Sequence, residues 1–287
     1  MERLTLKATL SPSRIADFNG CPLKFRYRNI DRLPERPGVE AVRGTVVHQV
    51  LEDMFALPRD MRTEAHALAD LQRAFEFVMS EDPDARFAID PELDWPNDER
   101  PASSKAIAKF LDDLPRFIRR YFEVERPQVF DATHRERYVR GRLADDLWLH
   151  GYVDRIDVAA TGEVRIVDYK TGKAPSIGYQ DKALFQLKCY ALLWQMEHDV
   201  HVRRLQMLFL GGGEPIIHDP KPEEISRVGE QVVDIWSDMK RANERAEWRA
   251  KPSKLCDWCS FQSKCPAKGG TAPTFEPVPV ELPKDHA

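Results

Sequence analysis

Two β-branched segments joined by one short turn constrain this chain more than any other feature. Gly151-Tyr152-Val153-Asp154-Arg155-Ile156-Asp157-Val158 leads to a turn at Thr161-Gly162, and Val164-Arg165-Ile166-Val167-Asp168-Tyr169-Lys170 follows. Runs of this kind, bounded by glycine-containing turns, read as paired strands. Aspartate is disfavoured within strands, yet Asp154 sits in the first and Asp168 in the second, with Lys170 two residues on. Side chains two apart on a strand share a face, so Asp168 and Lys170 project together. Taken alone, an Asp-x-Lys pair is more often a weak surface ion pair than a site. The rest of the chain decides between the two.

The chain has 287 residues, 42% of them hydrophobic and 31% charged, which is enough to bury one large core or two smaller ones. No apolar run approaches the ~18 residues of a membrane span, and the N-terminus lacks the apolar block of a signal peptide. A cytoplasmic protein without a membrane partner is expected. The net charge of −4 argues mildly against a nucleic-acid partner. Charge can be local, however. Lys24, Arg26, Arg28, Arg32, Arg36 and Arg43, interleaved with Phe25 and Tyr27, read equally as a phosphate-contacting strip or as a solvated basic helix end.

Ser11-Pro12 is a helix-start signal. A second helix, over about 43–56, carries Val46, Val47, Val50, Leu51 and Met54 as its apolar stripe, with His48 at the edge. Helices are also expected over 63–80 and 103–125, the latter kinked at Pro115. Between them lies an acidic, proline-punctuated loop, and nothing in this region carries chemistry. A helix over about 179–195 is apolar on most sides yet places Gln186 and Tyr190 on one face. Gly211-Gly212-Gly213 reads as a flexible turn.

Three of the five cysteines form Cys256-x2-Cys259-x5-Cys265. Cys189 lies in an apolar helix as a buried thiol, so Cys21, followed by proline like Cys265, is the candidate fourth ligand. Four thiolates arranged three-plus-one suit an iron–sulfur cluster or a structural zinc. Asp154 and Asp168 can bind a hard divalent cation, with His48 and a backbone carbonyl completing the shell. Imidazole in that shell shifts preference from magnesium towards manganese.

Together these residues resemble the RecB-type branch of the PD-(D/E)XK nuclease superfamily, which includes the AddB and Cas-type CRISPR-adaptation nucleases. The resemblance spans Leu10 to Pro266. It rests on Leu10-Ser11-Pro12-Ser13 with Cys21-Pro22, on Gly44-Thr45-Val46-Val47-His48, and on Gly151-Tyr152-Val153-Asp154-Arg155-Ile156-Asp157. Val167-Asp168-Tyr169-Lys170-Thr171-Gly172, Gln186-x3-Tyr190 and the four cysteines complete it. It implies an α/β, restriction-endonuclease-like core: a central mixed sheet flanked by helices, with a helical insertion and a C-terminal iron–sulfur loop. Residues 1–266 would form a single nuclease domain, with 57–130 as the insertion and 250–266 as the cluster loop paired with Cys21. Residues 267–287 would form an extended or disordered tail.

The implied site has His48, Asp154, Asp168 and the Tyr169 carbonyl on Mn2+ or Mg2+. Lys170 would be the catalytic lysine, Gln186 and Tyr190 would position DNA or that lysine, and Cys21, Cys256, Cys259 and Cys265 would hold a [4Fe–4S] cluster. Glu136 is a loose match to an upstream acid of several members, and Asp157 has no assigned role. The implied activity is metal-dependent DNA hydrolysis, exonucleolytic on single strands or ends, in repair or recombination. No helicase motif is present, so a motor would be a partner. The alternative is a non-catalytic DNA-binding subunit of a repair complex.

Overall fold

The computed structural model describes residues 4–283. Strands β1 (Leu6–Lys7) and β2 (Thr9–Leu10) open the chain, followed by helices α1 (Pro12–Gly20), α2 (Pro22–Asn29) and α3 (Val39–Ala56). The Ser11 hydroxyl accepts the Arg14 N–H at 3.4 Å and Pro12 occupies the first turn of α1. Cys21, in extended backbone, forms the corner between α1 and α2. Residues 57–130 carry α4 (Glu64–Ala69), α5 (Leu71–Glu81), α6 (Arg86–Ile89), α7 (Ser104–Asp113) and α8 (Pro115–Val124). The helix expected over 103–125 is therefore two helices, separated where Pro115 cannot donate to the preceding turn.

The remaining elements are β3 (His134–Ala144), β4 (Leu147–Val158), β5 (Val164–Lys170), α9 (Gln180–His198), β6 (Val202–Phe209), β7 (Ile216–His218), α10 (Pro222–Glu244) and β8 (Val280–Glu281). The main sheet runs β2-β4-β5-β6-β7, with β3 against β4. β3 lies antiparallel along almost all of β4. The opposite edge of β4 is shared: β2 pairs in parallel at Trp148 and Leu149, and β5 antiparallel from Arg155 to Val158. β6 is parallel to β5 and β7 antiparallel to β6. Helices cover both faces, as in a restriction-endonuclease-like core. Val164 and Ile166 belong to the apolar core made with α1, α9 and α10. Val167, Tyr169 and Leu208 belong to a second core made with α3 and the helices of 57–130. Among the described residues, no helix is long and apolar enough to cross a membrane.

One polar group sits inside the second core. Arg155 is fully buried and donates to both oxygens of Glu125, at 2.7 and 3.0 Å, and to the Tyr169 hydroxyl at 2.7 Å. Its guanidinium also lies 3.1 Å from Asp157 and 4.9 Å from the Phe55 and Phe130 ring centres. Asp157, left without a role by the sequence, bridges Arg155 to Arg165, which it meets at 2.7 Å.

Two readings of the sequence change. The basic strip is largely spent on structure: Arg26 is buried against Phe275 and Asp31, Arg28 pairs with Asp17 and Glu35, Arg36 donates to the Phe87 and Asp90 carbonyls, and Arg43 pairs with Glu40 and Asp113. Gly211 is no slack turn, because a Cβ there would lie 2.3 Å from the Thr171 carbonyl oxygen. That close approach clamps the end of β5. Residues 271–283 run extended across the N-terminal region, with Asn243 donating to the Val278 carbonyl and β8 pairing in parallel with β1; residues 284–287 lie outside the described chain.

Removing one partner of a buried ion pair strands the other charge. Glu125→Ala is therefore expected to lower unfolding stability by about 3–5 kcal/mol, read from denaturant midpoints. A loss comparable to that of an ordinary surface substitution would show that Arg155 finds another partner.

Candidate active site

β5 carries Asp168 and Lys170 on the face that looks towards α9. Lys170 Nζ lies 2.8 Å from Asp168 Oδ2 and donates to Gln186 Oε1 at 3.2 Å. Gln186 Nε2 donates to Asp168 Oδ1 and to the Tyr190 hydroxyl oxygen, each at 3.0 Å. The i, i+4 spacing on α9 thus delivers Gln186 to the acid–lysine pair and Tyr190 behind it. Gly151 makes room for this chain of contacts, since a Cβ there would fall 2.6 Å from Cε1 of Tyr190.

Asp154 lies where strand alternation breaks. Val153 and Ile156 both pack in the α9-side core, while Arg155 turns into the opposite one. The β4–β5 ladder ends at Arg155 and Val167, and beyond it Asp154 Oδ2 accepts the Tyr169 N–H at 2.7 Å. The Tyr169 carbonyl accepts from His48 Nε2 at 2.9 Å, which leaves Nδ1 of the ring 3.6 Å from Asp154 Oδ2. Both halves of the Tyr169 peptide are therefore held by site side chains. Glu136 joins from β3: pairing of Arg135 with Arg155 and Arg137 with Val153 puts it opposite Asp154. Its φ of +41° is rare for a residue with a side chain, and strain of this kind collects at functional sites.

Ligand atoms of His48, Glu136 and Asp154 lie within 4.8 Å of one another, and no other such group occurs among the described residues. Two carboxylates and an imidazole match the donor set of a hard divalent cation. The sequence placed Asp168 in that shell together with His48 and Asp154. In the structure Asp168 stands beside the triad, its oxygens held by Lys170 and Gln186. Glu136, which the sequence offered only as a loose match, completes the set. The signal that finds it is its register position opposite Asp154.

The electrostatics agree. Burial, and then the charge of Asp154, push the Glu136 carboxyl up to about 7. Burial raises Asp168 to about 6, against the pull of Lys170 and with the push of Asp154. Burial alone would lower the Lys170 ammonium, but Asp168 beside it outweighs that and holds the group above the ordinary lysine value. The site thus concentrates negative charge that its own residues neutralise only in part.

At the other end of the molecule, Cys21, Cys256, Cys259 and Cys265 line one cavity of about 250 Å³. The Lys251 N–H donates to Cys21 Sγ at 3.4 Å and the Ser253 N–H to Cys256 Sγ at 3.3 Å. No three of the sulfurs lie mutually within 4.8 Å. Cys189 is buried in α9, its thiol pushed up by burial.

The sequence profile of the PD-(D/E)XK nuclease superfamily matches residues 9–266. The Gene 69 protein of Mycobacterium phage L5 is 22% identical over 300 residues, covering 91% of this chain and 97% of the phage protein. The Gene 69 protein of Mycobacterium phage D29 is 23% identical over 273 residues, covering 89% of this chain and 96% of its own. The crystal structure of SSO0001 aligns at 13% identity and a TM-score of 0.42, covering 91% of this chain and 87% of that one. With the profile running from β2 through the last cysteine, the chain belongs to the PD-(D/E)XK nuclease superfamily.

Proposed function

We propose that this chain is a Mn2+- or Mg2+-dependent deoxyribonuclease of the RecB-type branch. In this reading it hydrolyses DNA phosphodiester bonds exonucleolytically, from single-stranded or free ends, in cytoplasmic DNA repair or recombination, with a helicase or another repair protein as partner. The observation that carries the reading is the convergence of His48, Glu136 and Asp154 beside a lysine held by a buried acid.

His48, Glu136 and Asp154 would hold a divalent ion, which would supply positive charge to a phosphodiester oxygen and lower the pKa of a water. The protein's own groups do the positioning. Lys170, charged because Asp168 stands beside it, is no general base at neutral pH; it orients the incoming water and offsets charge developing on the phosphoryl oxygens. Gln186 holds Lys170 and Asp168 in one geometry, and Tyr190 holds Gln186. His48 and Asp154 fix the Tyr169 peptide between them.

End-labelled linear and circular single- and double-stranded DNA, incubated with Mn2+ or Mg2+, tests the activity. Wild-type protein is expected to shorten linear single strands, and Asp154→Asn or Lys170→Gln to lower the rate at least about a hundredfold without unfolding the protein. Hydrolysis at the wild-type rate in either variant overturns the mechanism. Binding without hydrolysis by the wild type would leave a non-catalytic DNA-binding subunit.

The unneutralised acids give a pH signature. Raised carboxyl pKa values favour the fold below the unfolded-state values of 4.5 and 3.8, and this contribution is lost as pH rises through about 7 for Glu136 and about 6 for Asp168. Without divalent ions, Glu136→Gln is therefore expected to melt above wild type by roughly 2 °C at pH 8, with no advantage at pH 5. Added Mn2+ should raise wild type and leave the variant behind. Equal metal stabilisation of both would remove Glu136 from the ion's ligands.

The second cofactor in this reading is a [4Fe–4S] cluster on Cys21, Cys256, Cys259 and Cys265. A shared cavity and backbone N–H bonds to two of the sulfurs support the cluster. It would supply a structural tie between the chain ends. Freshly purified protein should be brown and contain about four irons and four sulfides per chain, lost in Cys256→Ser. A colourless protein holding one zinc would refute it.

A further inference from the structure

The outer face of the β3–β4 pair continues the active site in one direction. On β3, Glu136, Tyr138 and Arg140 line one cavity, and β4 carries Asp154, Tyr152 and His150 alongside them. The register confirms the pairing: Tyr138 lies opposite Tyr152, and Arg140 opposite His150. The intervening residues Val139, Gly151 and Val153 are buried against the α9-side core, which leaves this face as the outward one. The two tyrosines are 42% and 58% exposed. Their ring centres are 5.1 Å apart with planes inclined at 51°, and the His150 ring follows at 5.9 Å from Tyr138. Arg140 lies over the Trp148 ring at 5.5 Å.

From this arrangement we infer that the Tyr138–Tyr152 face binds the single-stranded nucleotides adjoining the bond to be cut, stacking unpaired bases on the two rings. The inference rests on the proposed nuclease function and deepens it by naming the substrate-binding surface. Two arguments select a single strand as the occupant. First, Tyr138 lines the same cavity as Glu136 of the acid–histidine triad, so a chain with a phosphate at the acids meets the rings with its neighbouring nucleotides. Second, the two rings stand side by side on neighbouring strands, and only a base whose face is free of its stacked neighbours can lie on them. Bases must be unstacked and spread to meet this surface. Ring stacking on exposed aromatics beside arginines is also how proteins hold single strands without regard to sequence. A duplex would present phosphates to the tyrosines and leave them without partners.

The test is equilibrium binding of a fluorescein-labelled single-stranded oligo(dT) 20-mer, and of a duplex of the same length, in EDTA so that no hydrolysis intervenes. Wild-type protein is expected to favour the single strand. Tyr138→Ala and Tyr152→Ala should each weaken single-strand binding about tenfold while changing duplex binding little. Tyr138→Phe and Tyr152→Phe should bind the single strand like wild type, because stacking needs the ring and not the hydroxyl. Single-strand binding unchanged in the double alanine variant would overturn the inference. So would a loss in the phenylalanine variants equal to that in the alanine ones, or an equal loss for the duplex. Failure of the nuclease reading looks different: wild-type protein would then cleave no DNA with Mn2+ or Mg2+, whatever its tyrosines do in EDTA.

Discussion

The geometry of the candidate site depends on one buried cation. Arg155 is the chain neighbour of Asp154, and its hydrogen-bond partner Tyr169 is the chain neighbour of both Asp168 and Lys170. A slip of one residue between β4 and β5 would send each side chain to the opposite face. With Arg155 enclosed by Glu125, Asp157, Tyr121 and Tyr169, such a slip would put a guanidinium into the α9-side core and strand Glu125. Buried ion pairs are poor sources of net stability and serve better as register devices. Here the register they set is the one that presents Asp168 and Lys170 to Gln186. Glu125 follows directly on α8, so residues 57–130 are tied to the catalytic strands through a charge as well as through apolar packing.

Along the same strands, charge is left unresolved. Glu136, Asp154 and Asp168 are drawn together with a single lysine, and burial adds to the cost of keeping them ionised. Glu136 is also held at a φ that its residue type avoids. A sequence selected for stability alone would remove one of these acids. Their retention makes physical sense if a cation is a regular occupant, because the same repulsion that destabilises the empty cluster becomes affinity for the ion. Within β4–β5, Arg155 supplies the rigidity, and the acids supply the demand for a ligand.

How much of this was legible in the sequence follows from the range of each interaction. Strand period and helix period place Asp168 with Lys170 and Gln186 with Tyr190, and motif order links them to His48 and Asp154; the structure brings all of these together. Glu136 was only faintly visible, since its place depends on β3 register and on a backbone twist that no local pattern encodes. Asp157 and Arg155 were opaque because Glu125 arrives from a helix 30 residues upstream of Arg155. The basic strip misled for the same reason: Asp17, Glu35 and Asp113, and the Phe87 carbonyl, are partners that only the fold supplies. Gly211 looked slack until the backbone of Thr171–Gly172 lay against it.

The two chain ends bear on the site through β2. Its Thr9 and Leu10 pair with Trp148 and Leu149 of β4, only a few residues before Asp154 and on the edge that β5 takes up further along. β2 is itself held from outside the sheet. β1 just before it pairs with β8, Arg26 reaches the Pro273 carbonyl, and the Tyr27 hydroxyl donates to the Lys264 carbonyl inside the cysteine loop. Phe25 stacks on Trp248 at 5.8 Å, and Trp248 meets Phe275 edge-on. A two-residue strand cannot hold its place by its own ladder bonds. It stays on β4 because these contacts fix α1 and α2, and so fix the segment that precedes them. The contact of the cysteine loop with α2 thus belongs to the same chain of packing that runs through β2 to Trp148 and Leu149 of β4.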